Sequence, residues 1–474
     1  MRPQLYKAKR RLGIRTATQS AVEIAIRMTY YGRTKSPSNR EHTMLLLSLI
    51  WAWTAWNVYH PHKSKPEFLG ILSFILGYIT GALALHVIAI EVGLTLIIIM
   101  LGELSGLSDA LGLAIALCSW TAIAVFYFRA QRADPIMAQA VRYALQLGPE
   151  QTLDTSSSLL IEPDAKRLAK PFSYKLANVK RHKNIEYSRV NGRSLRVDIY
   201  QRDDAPQNAP VLFQMHGGAW LENMGSKNEQ ALPLMTQMAA NGWVCVAVEY
   251  RLSPGSTFPE HIIDCKRALH WIKENIGEYG GNPDFVIATG GSAGGHLSSL
   301  LALSANAPEF QPGFESADTT VQGCIPFYGV YDFLNSQGQR SSESLSQWVS
   351  AKVLKKTRAE SPELWRQASP LYWVHKDAPP FLIIHGEADT LVPVEESRVL
   401  YSALKEVSNQ AVSFAELPDA QHAFELAISL RTQIVVNHLT GYLNELYRRH
   451  LENKTTSPAV DEEPVETEQL EDQT

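Results

Sequence analysis

The sequence predicts an α/β protein in which a mostly parallel sheet, with helices on both faces, is preceded by a transmembrane helical region. Between residues 181 and 450, short apolar runs alternate with helical stretches, which is typical of buried parallel strands joined by helices. Between residues 43 and 129, charged residues are rare, as they are in helices that cross a bilayer. A chain of 474 residues is long enough to hold both regions.

Charge and composition divide the chain into five segments. A basic amphipathic lead-in covers 1–42, where residues carry a net charge of +8, and an acidic tail that we expect to be disordered covers 451–474. Between them lie the transmembrane region 43–129, a connector over 130–180 and the α/β domain over 181–450. The formal net charge of −4 excludes a globally basic nucleic-acid binder. The four cysteines form no C-x-x-C pair, so they indicate neither a zinc site nor a disulfide framework.

The transmembrane region is predicted to contain three or four helices, near 43–60, 67–85, 86–102 and 109–128. A spanning helix needs about 20 residues to cross a hydrocarbon core of about 30 Å. The apolar run 68–102 is therefore too long for one span, and we expect a break between Leu83 and Glu91. His86 and Glu91 are ionisable residues within apolar sequence, and the sequence leaves their role open.

The basic residues that flank this region favour a cytoplasmic α/β domain. The lead-in precedes the first span, and Arg129, Arg132 and Arg142 follow the last one. The positive-inside rule then favours two cytoplasmic ends and an even number of spans. Lys63 and Lys65, in the first loop, oppose this assignment.

The α/β domain is predicted to begin with a β-hairpin. Asn191-Gly192 separates strand patterns at 186–190 and 195–200, and this dipeptide is typical of a two-residue hairpin turn. Further strands are predicted at 211–215, 243–248, 285–289, 321–327, 380–385 and 412–417, with helices at 228–241, 260–277, 293–305, 395–407 and 422–449. Residues 331–375 exceed an ordinary loop, and we interpret them as an insertion over the strand ends that could act as a lid.

A candidate nucleophile lies in Gly290-Gly291-Ser292-Ala293-Gly294, directly after one of these strands. G-x-S-x-G between a strand and a helix is typical of a tight turn that exposes the serine hydroxyl. The positive end of the following helix favours negative charge that develops there. Ser292 is therefore the predicted nucleophile.

A second motif, His216-Gly217-Gly218-Ala219-Trp220, follows an earlier strand. Glycines at a strand end expose backbone N–H groups, which can stabilise an oxyanion. The predicted oxyanion-hole donors are the N–H groups of Gly217, Gly218, Ala219 and Ala293, and the sequence does not decide which of them serve.

The acid and the base are predicted at the ends of the last two strands. Asp389 follows the strand at 380–385, and His422 follows the strand at 412–417. The chain order serine, aspartate, histidine is that of an α/β-hydrolase triad. The remaining alternatives are Glu387 for the acid, and His385, His296 and His216 for the base; His296 is expected to be a packing residue.

These motifs together resemble the hormone-sensitive-lipase-like esterases of the α/β-hydrolase group. The residues that carry the resemblance are His216–Trp220, Tyr250–Pro254, Gly290–Gly294, His385–Pro393 and His422. The arrangement also resembles membrane-anchored carboxylesterases and prenylcysteine methylesterases. Where the group usually has a third glycine after the histidine, this chain has Ala219, whose methyl group is expected to narrow the acyl pocket.

The resemblance implies a membrane-anchored serine hydrolase that cleaves carboxylic esters through an acyl-enzyme. Its expected partners are a small-molecule or lipid ester and the membrane, with no nucleic acid, no metal and no organic cofactor. Two alternatives remain: an amide or lactone hydrolase that uses the same triad, and a non-catalytic membrane scaffold with a hydrolase fold.

Overall fold

The computed structural model describes residues 42–63, 67–102, 104, 106–148, 150–153, 155–156, 158–160 and 164–456. The basic lead-in, except its last residue, and the acidic tail beyond 456 lie outside the described residues. The chain divides into two compact units. The first unit consists of 42–56 with Leu85–Val125, and the second consists of Asn57–Ala84 with the chain from Phe126 onward.

Four apolar helices form the amino-terminal part of the described chain. They are α1 (Thr43–Tyr59), α2 (Glu67–Ala82), α3 (Ala84–Met100) and α4 (Gly106–Arg129). In the first unit, Met44, Trp51, Ile98 and Ala116 form a small core. A Cβ at Gly112 would lie 2.7 Å from the backbone nitrogen of Leu45, so glycine permits the close approach of α4 to α1.

One helical stretch among the described residues, Gly106–Ala144, is long and apolar enough to cross a membrane by itself. Helices α2 and α3, which are separated by a bend at Leu83, would count as a second crossing only if taken together as one broken segment. Helix α1 has 17 residues, or about 25 Å at about 1.5 Å per residue, which is less than a core of about 30 Å. Apolar helices are thus present at the four predicted places, and the number of them that cross a membrane stays a prediction.

The second unit contains an eight-stranded sheet in the order β1-β2-β4-β3-β5-β6-β7-β8. Its strands are β1 (Val179–Val190), β2 (Arg193–Arg202), β3 (Ala209–Met215), β4 (Val244–Val248), β5 (Gly281–Gly291), β6 (Gly323–Phe327), β7 (Phe381–Gly386) and β8 (Val412–Leu417). Strand β2 pairs antiparallel with β1 and with β4, and the other pairings are parallel. The predicted hairpin is present, and both residues of its turn have positive φ, 49° at Asn191 and 77° at Gly192.

The sheet is buried on both faces, as a near-continuous apolar strand pattern predicts. Along β3, Phe213 and Met215 belong to one hydrophobic core and Leu212 belongs to the other. Besides α2, the α-helices of this unit are α5 (Ala133–Ala144), α6 (Ala165–Leu168), α7 (Leu232–Ala240), α8 (Glu260–Asn275), α9 (Ala293–Leu303), α10 (Ser344–Trp348), α11 (Pro362–Gln367), α12 (Glu395–Val407) and α13 (Leu430–Thr456). Residues of α5, α7 and α13 pack in the core that contains Leu212, whereas residues of α8, α9 and α12 pack in the opposite core.

The insertion at 331–375 packs into the domain. Val349, Val353 and Trp365 are buried in the core that contains Phe213. Arg340 forms an ion pair with Glu396 at the start of α12, and both side chains are almost completely buried. The segment is therefore anchored by apolar contacts and by a buried charge pair; its action as a lid stays a prediction.

The parallel register brings the carboxyl ends of the strands together at one edge. Met215 of β3 is paired with Gly290 of β5, so the loops that follow these two strands are neighbours. Gly386 of β7 is paired with Leu417 of β8, which makes the loops that carry Asp389 and His422 neighbours as well. An open α/β sheet binds its ligands at this edge.

Candidate active site

Ser292 lies in a strained turn between β5 and α9. Its φ of 58° and ψ of −120° fall in a region that non-glycine residues rarely occupy. A Cβ at Gly290 would lie 2.5 Å from the carbonyl oxygen of Met215, and one at Gly294 would lie 2.0 Å from the same oxygen. Both flanking glycines are therefore required by the close approach of β3, as the motif predicted.

Asp389 and His422 are in direct contact. The distance from His422 Nδ1 to Asp389 Oδ2 is 2.6 Å, and both side chains are buried. The second carboxylate oxygen, Asp389 Oδ1, accepts the backbone N–H groups of Leu391 at 2.9 Å and Val392 at 2.8 Å. Because an ionised carboxylate only accepts hydrogen bonds, Nδ1 of His422 carries the proton and Nε2 is left to act as an acceptor.

Asp389 is ionised at neutral pH despite its burial. Burial alone would raise its pKa, but the charge of His422 and the hydrogen bonds from His385 and His422 outweigh burial and hold the pKa below its ordinary value. The loop of His422 is fixed by Gln421, whose Oε1 accepts the backbone N–H groups of His422 at 2.9 Å and Thr390 at 2.8 Å.

The alternative acid and two of the alternative bases occupy other environments. The side chain of Glu387 is exposed to solvent. His216 is buried, its Nδ1 lies 2.7 Å from the carbonyl oxygen of Gly217, and burial lowers its pKa to about 4. His296 has both ring nitrogens engaged, Nδ1 by Trp220 at 3.2 Å and Nε2 by the carbonyl oxygen of Ala368 at 2.7 Å. Burial lowers the pKa of His296 to about 4, which fits the expected packing role.

His385, the third alternative base, lies behind Asp389. Its Nε2 is 3.2 Å from Asp389 Oδ2 and 2.9 Å from the carbonyl oxygen of Val392, and its Nδ1 is 2.7 Å from Ser397 Oγ. Since both partners of Nε2 are acceptors, Nε2 carries the proton and Nδ1 accepts from Ser397. One oxygen of Asp389 is thus shared by two histidines, which the motif pattern did not predict.

The oxyanion-hole candidates differ in how their N–H groups are used. The N–H of Gly217 donates to Gln230 Oε1 at 2.6 Å, so this group is already occupied. Gly218 and Ala219 have positive φ, 111° and 52°, and their N–H groups have no acceptor within the described part of the chain. Ala293 is the first residue of α9, where N–H groups lack a partner within the helix. Gly218, Ala219 and Ala293 therefore remain as candidate donors.

The loop after β3 touches the serine turn directly. A Cβ at Gly217 would lie 2.5 Å from the carbonyl oxygen of Gly291 and 3.1 Å from Ser292 Cβ. The parallel pairing of β3 and β5 thus places the glycine loop against the candidate nucleophile.

Three further residues surround His422 that the sequence analysis did not identify. Tyr328, which has a φ of 36° after β6, places its ring 4.5 Å from the ring of His422, and its hydroxyl donates to Glu425. Glu425 is buried, and burial raises its pKa. The ring of Phe74, on α2, lies edge-on to His422 with 6.0 Å between ring centroids. Sequence patterns give no signal for the contacts of Tyr328 and Phe74, because these residues are far from His422 in the chain.

Together, the sheet order, the serine turn and the loops after β7 and β8 define an α/β-hydrolase fold. The model of the BD-FAE family matches residues 197–404, a range that includes Ser292 and Asp389 and ends before His422. The chain is also similar to the esterase LipQ of Mycobacterium tuberculosis, with 46% identity over 276 residues, which are 58% of this chain and 65% of that protein. The resemblance to α/β-hydrolase esterases is thereby confirmed.

Two more relatives and one solved structure extend the comparison. The probable carboxylic ester hydrolase LipM of M. tuberculosis is 48% identical over 271 residues, 57% of this chain and 62% of LipM. The isoprenylcysteine alpha-carbonyl methylesterase ICME of Arabidopsis thaliana is 26% identical over 229 residues, 46% of this chain and 51% of ICME. The chain thus spans between half and two thirds of the length of these relatives. An esterase structure from Thermogutta terrifontis aligns with a TM-score of 0.47 and 22% identity, over 58% of this chain and 95% of that one.

Proposed function

We propose that this protein is a membrane-anchored serine hydrolase that cleaves carboxylic esters through an acyl-enzyme on Ser292. The observation that carries the proposal is the buried pair of His422 Nδ1 and Asp389 Oδ2, 2.6 Å apart, at the sheet edge where the strained Ser292 turn also lies. Similarity to LipQ, an esterase, and to LipM, a probable carboxylic ester hydrolase, supports the same reaction.

The reaction begins with the transfer of the Ser292 proton to His422 Nε2 while the serine oxygen attacks the ester carbonyl carbon. The imidazolium that forms is stabilised by the ionised Asp389. The carbonyl oxygen becomes an oxyanion, for which the N–H groups of Gly218, Ala219 and Ala293 are the donors. Loss of one such donor costs about 3–4 kcal/mol of transition-state stabilisation in known hydrolases.

The alcohol then leaves with the proton that His422 holds, and the acyl group stays on Ser292. A water molecule, deprotonated by His422, attacks the acyl carbon and releases the carboxylic acid, and Ser292 regains its proton. Every step uses side chains and backbone groups of this chain and one water.

The apolar helices are proposed to anchor the protein in a membrane. The stretch Gly106–Ala144 has the length and composition for a crossing, and Leu107, Leu111 and Leu117 on it are more than half exposed. Apolar side chains that are exposed along such a helix are suited to lipid. Arg129 and Arg132, directly after the apolar part, favour a cytoplasmic domain.

A fluorophosphonate probe, which reacts with an activated serine, tests the catalytic proposal. We expect the full-length protein in detergent to be labelled and to hydrolyse simple esters, and Ser292→Ala to lose both properties while it keeps its circular-dichroism spectrum. Labelling of the folded Ser292→Ala variant, or hydrolysis at the original rate, would remove Ser292 from the mechanism. A non-catalytic scaffold would show neither labelling nor hydrolysis in the unchanged protein.

A further inference from the structure

Helix α2 packs against both loops that carry the acid and the base of the proposed reaction. Thr390, next to Asp389, donates its hydroxyl to the carbonyl oxygen of Gly70 at 3.0 Å. About one turn later, Phe74 contacts the ring of His422. A further turn on, a Cβ at Gly77 would lie 3.3 Å from Gln421 Nε2. Three successive turns of α2 thus fix its register on these loops.

The same helix is also held by the chain that precedes it. Ser73 donates its hydroxyl to Asn57 Oδ1 at 2.7 Å, and Asn57 Nδ2 donates to the carbonyl oxygen of Ser73 at 2.9 Å. The backbone N–H of His62 donates to Ser73 Oγ at 2.9 Å. All of these residues belong to the second unit, so Phe74 is presented to His422 by a braced helix.

The face of α2 that points away from these loops is apolar and exposed. Its residues are Phe68, Ile71, Ile75 and Ile79, which are 43% to 65% exposed. Helix α2 therefore has an apolar outer surface and also carries Phe74, which lies beside the proposed base. This arrangement suits an ester that is itself apolar.

The proposed mechanism indicates which part of the substrate lies next to Phe74. His422 must lie within hydrogen-bond distance of the alcohol oxygen when it returns its proton to the leaving group. A side chain packed against the imidazole therefore lies beside the alcohol portion of the ester. Phe74, 6.0 Å from the imidazole between ring centroids, is within the contact range of an aromatic ring.

We propose that α2 forms the wall of the alcohol-binding site, that Phe74 determines specificity there, and that the substrates are esters of apolar alcohols. This proposal rests on the proposed function. It assigns a substrate-binding role to α2, whose sequence by itself indicates only an apolar helix.

The test compares two series of esters on the full-length protein in detergent. One series keeps a butyryl group and varies the alcohol from methanol to octanol, and the other keeps methanol and varies the acyl chain. Because apolar contact with the ring stabilises a long alcohol, Phe74→Ala is expected to reduce the octyl-to-methyl ratio of kcat/KM by about tenfold. Its acyl-series ratios are expected to change by less than about twofold. Val407→Ala, at an exposed apolar position on α12, is the control and should leave both series unchanged.

Other outcomes would overturn the proposal. An equal loss of kcat for every ester would show that Phe74 only holds His422 in place, and unchanged ratios in both series would exclude contact with the alcohol. Fluorophosphonate labelling of Ser292 reports whether the variant is folded. If Phe74→Ala is not labelled, Phe74→Leu gives the same comparison with apolar bulk retained. Absence of hydrolysis by the unchanged protein would instead contradict the proposed function itself.

Discussion

The carboxylate of Asp389 is held by two histidines and two backbone amides. Its Oδ1 accepts two N–H groups of its own loop, and its Oδ2 lies 2.6 Å from His422 Nδ1 and 3.2 Å from His385 Nε2. These contacts fix the position of the carboxylate and hold its pKa below the ordinary value. The acid is therefore ionised throughout the pH range in which a histidine base would work.

Replacement of the Asp389 carboxylate by an amide removes its negative charge and keeps nearly the same size and shape. Asp389→Asn should keep the packing but lower kcat by about 10⁴, because the asparagine amide can hold the imidazole in the wrong tautomer and cannot stabilise the imidazolium. Steady-state hydrolysis of a simple ester measures the change. Glu387→Gln, at an exposed position two residues away, is the control and should retain activity. The reverse pattern would identify Glu387 as the acid.

Glu425, which lies close to His422, is expected to make the stability of the domain depend on pH. It is buried and accepts the hydroxyl of Tyr328, with Tyr78, Tyr174 and His422 as its other titratable neighbours. Because burial raises its pKa, the folded protein binds this proton more tightly than the unfolded chain. The stability it contributes is fully present below the unfolded pKa of about 4.3 and declines as the pH rises through the folded pKa.

Glu425→Gln should therefore flatten the pH dependence of stability. We expect the variant to gain thermal stability relative to the original protein at pH 8 but not at pH 4, since only the ionised form is costly to bury. About 1 kcal/mol corresponds to about 2–4 °C in Tm for a domain of about this size. Thermal unfolding followed by tryptophan fluorescence at several pH values measures this, with Glu387→Gln as the control. Parallel curves for all three proteins would contradict the assignment.

At the scale of elements, the turn between β5 and α9 depends on glycine for close packing. A Cβ at Gly294 would lie 2.0 Å from the backbone carbonyl oxygen of Met215, and backbone cannot move aside as a flexible side chain can. Gly294→Ala should therefore destabilise the domain by about 1–3 kcal/mol, the usual cost of overpacking, and should reduce labelling of Ser292. At Gly277 nothing lies within 4 Å of an added Cβ, so Gly277→Ala should have little effect. Denaturant unfolding and probe labelling of both variants would be compared, and equal behaviour would contradict this account.

The strands of the sheet could be predicted from sequence because burial on both faces leaves a continuous apolar run. Strand β8 has the predicted bounds, Val412–Leu417, and β3 differs from its prediction by two residues. The helix predicted at 422–449 instead begins at Leu430. Asp419 and Ala423 have positive φ, which interrupts a helix and leaves His422 in a loop.

The sequence predicted those parts of the candidate site that lie in short local motifs. The contact between Asp389 and His422 is observed, and the roles of Ser292, Asp389 and His422 stay predictions. The occupied N–H of Gly217 depends on Gln230, thirteen residues away, and the contact of Phe74 with His422 joins distant segments. A helix that faces lipid and a helix that packs on a domain have similarly high hydropathy. Hydropathy could therefore not identify the packing of α2.

At the scale of the whole molecule, the charge of the flanking residues favours one side of the proposed membrane for the domain. Arg129, Arg132 and Arg142 lie within fourteen residues after the apolar segment, close enough for the positive-inside rule to act. Arg129 and Arg132 also form ion pairs with Asp419, but acidic residues contribute little to that rule. We therefore expect a cytoplasmic domain and an even number of crossings.

Reporter fusions placed after Arg142 test this orientation. In a bacterial host, a cytoplasmic position predicts high fluorescence from a green fluorescent protein fusion and low activity from an alkaline phosphatase fusion, since the phosphatase needs an oxidising compartment for its disulfides. Fusions after His62, in the loop between α1 and α2, provide the comparison. If charge sets the orientation, the preference of the domain for the cytoplasmic side should weaken or invert when Arg129, Arg132 and Arg142 are replaced by glutamate. High phosphatase activity after Arg142 in the unchanged sequence would show that the domain is exported and that the number of crossings is odd.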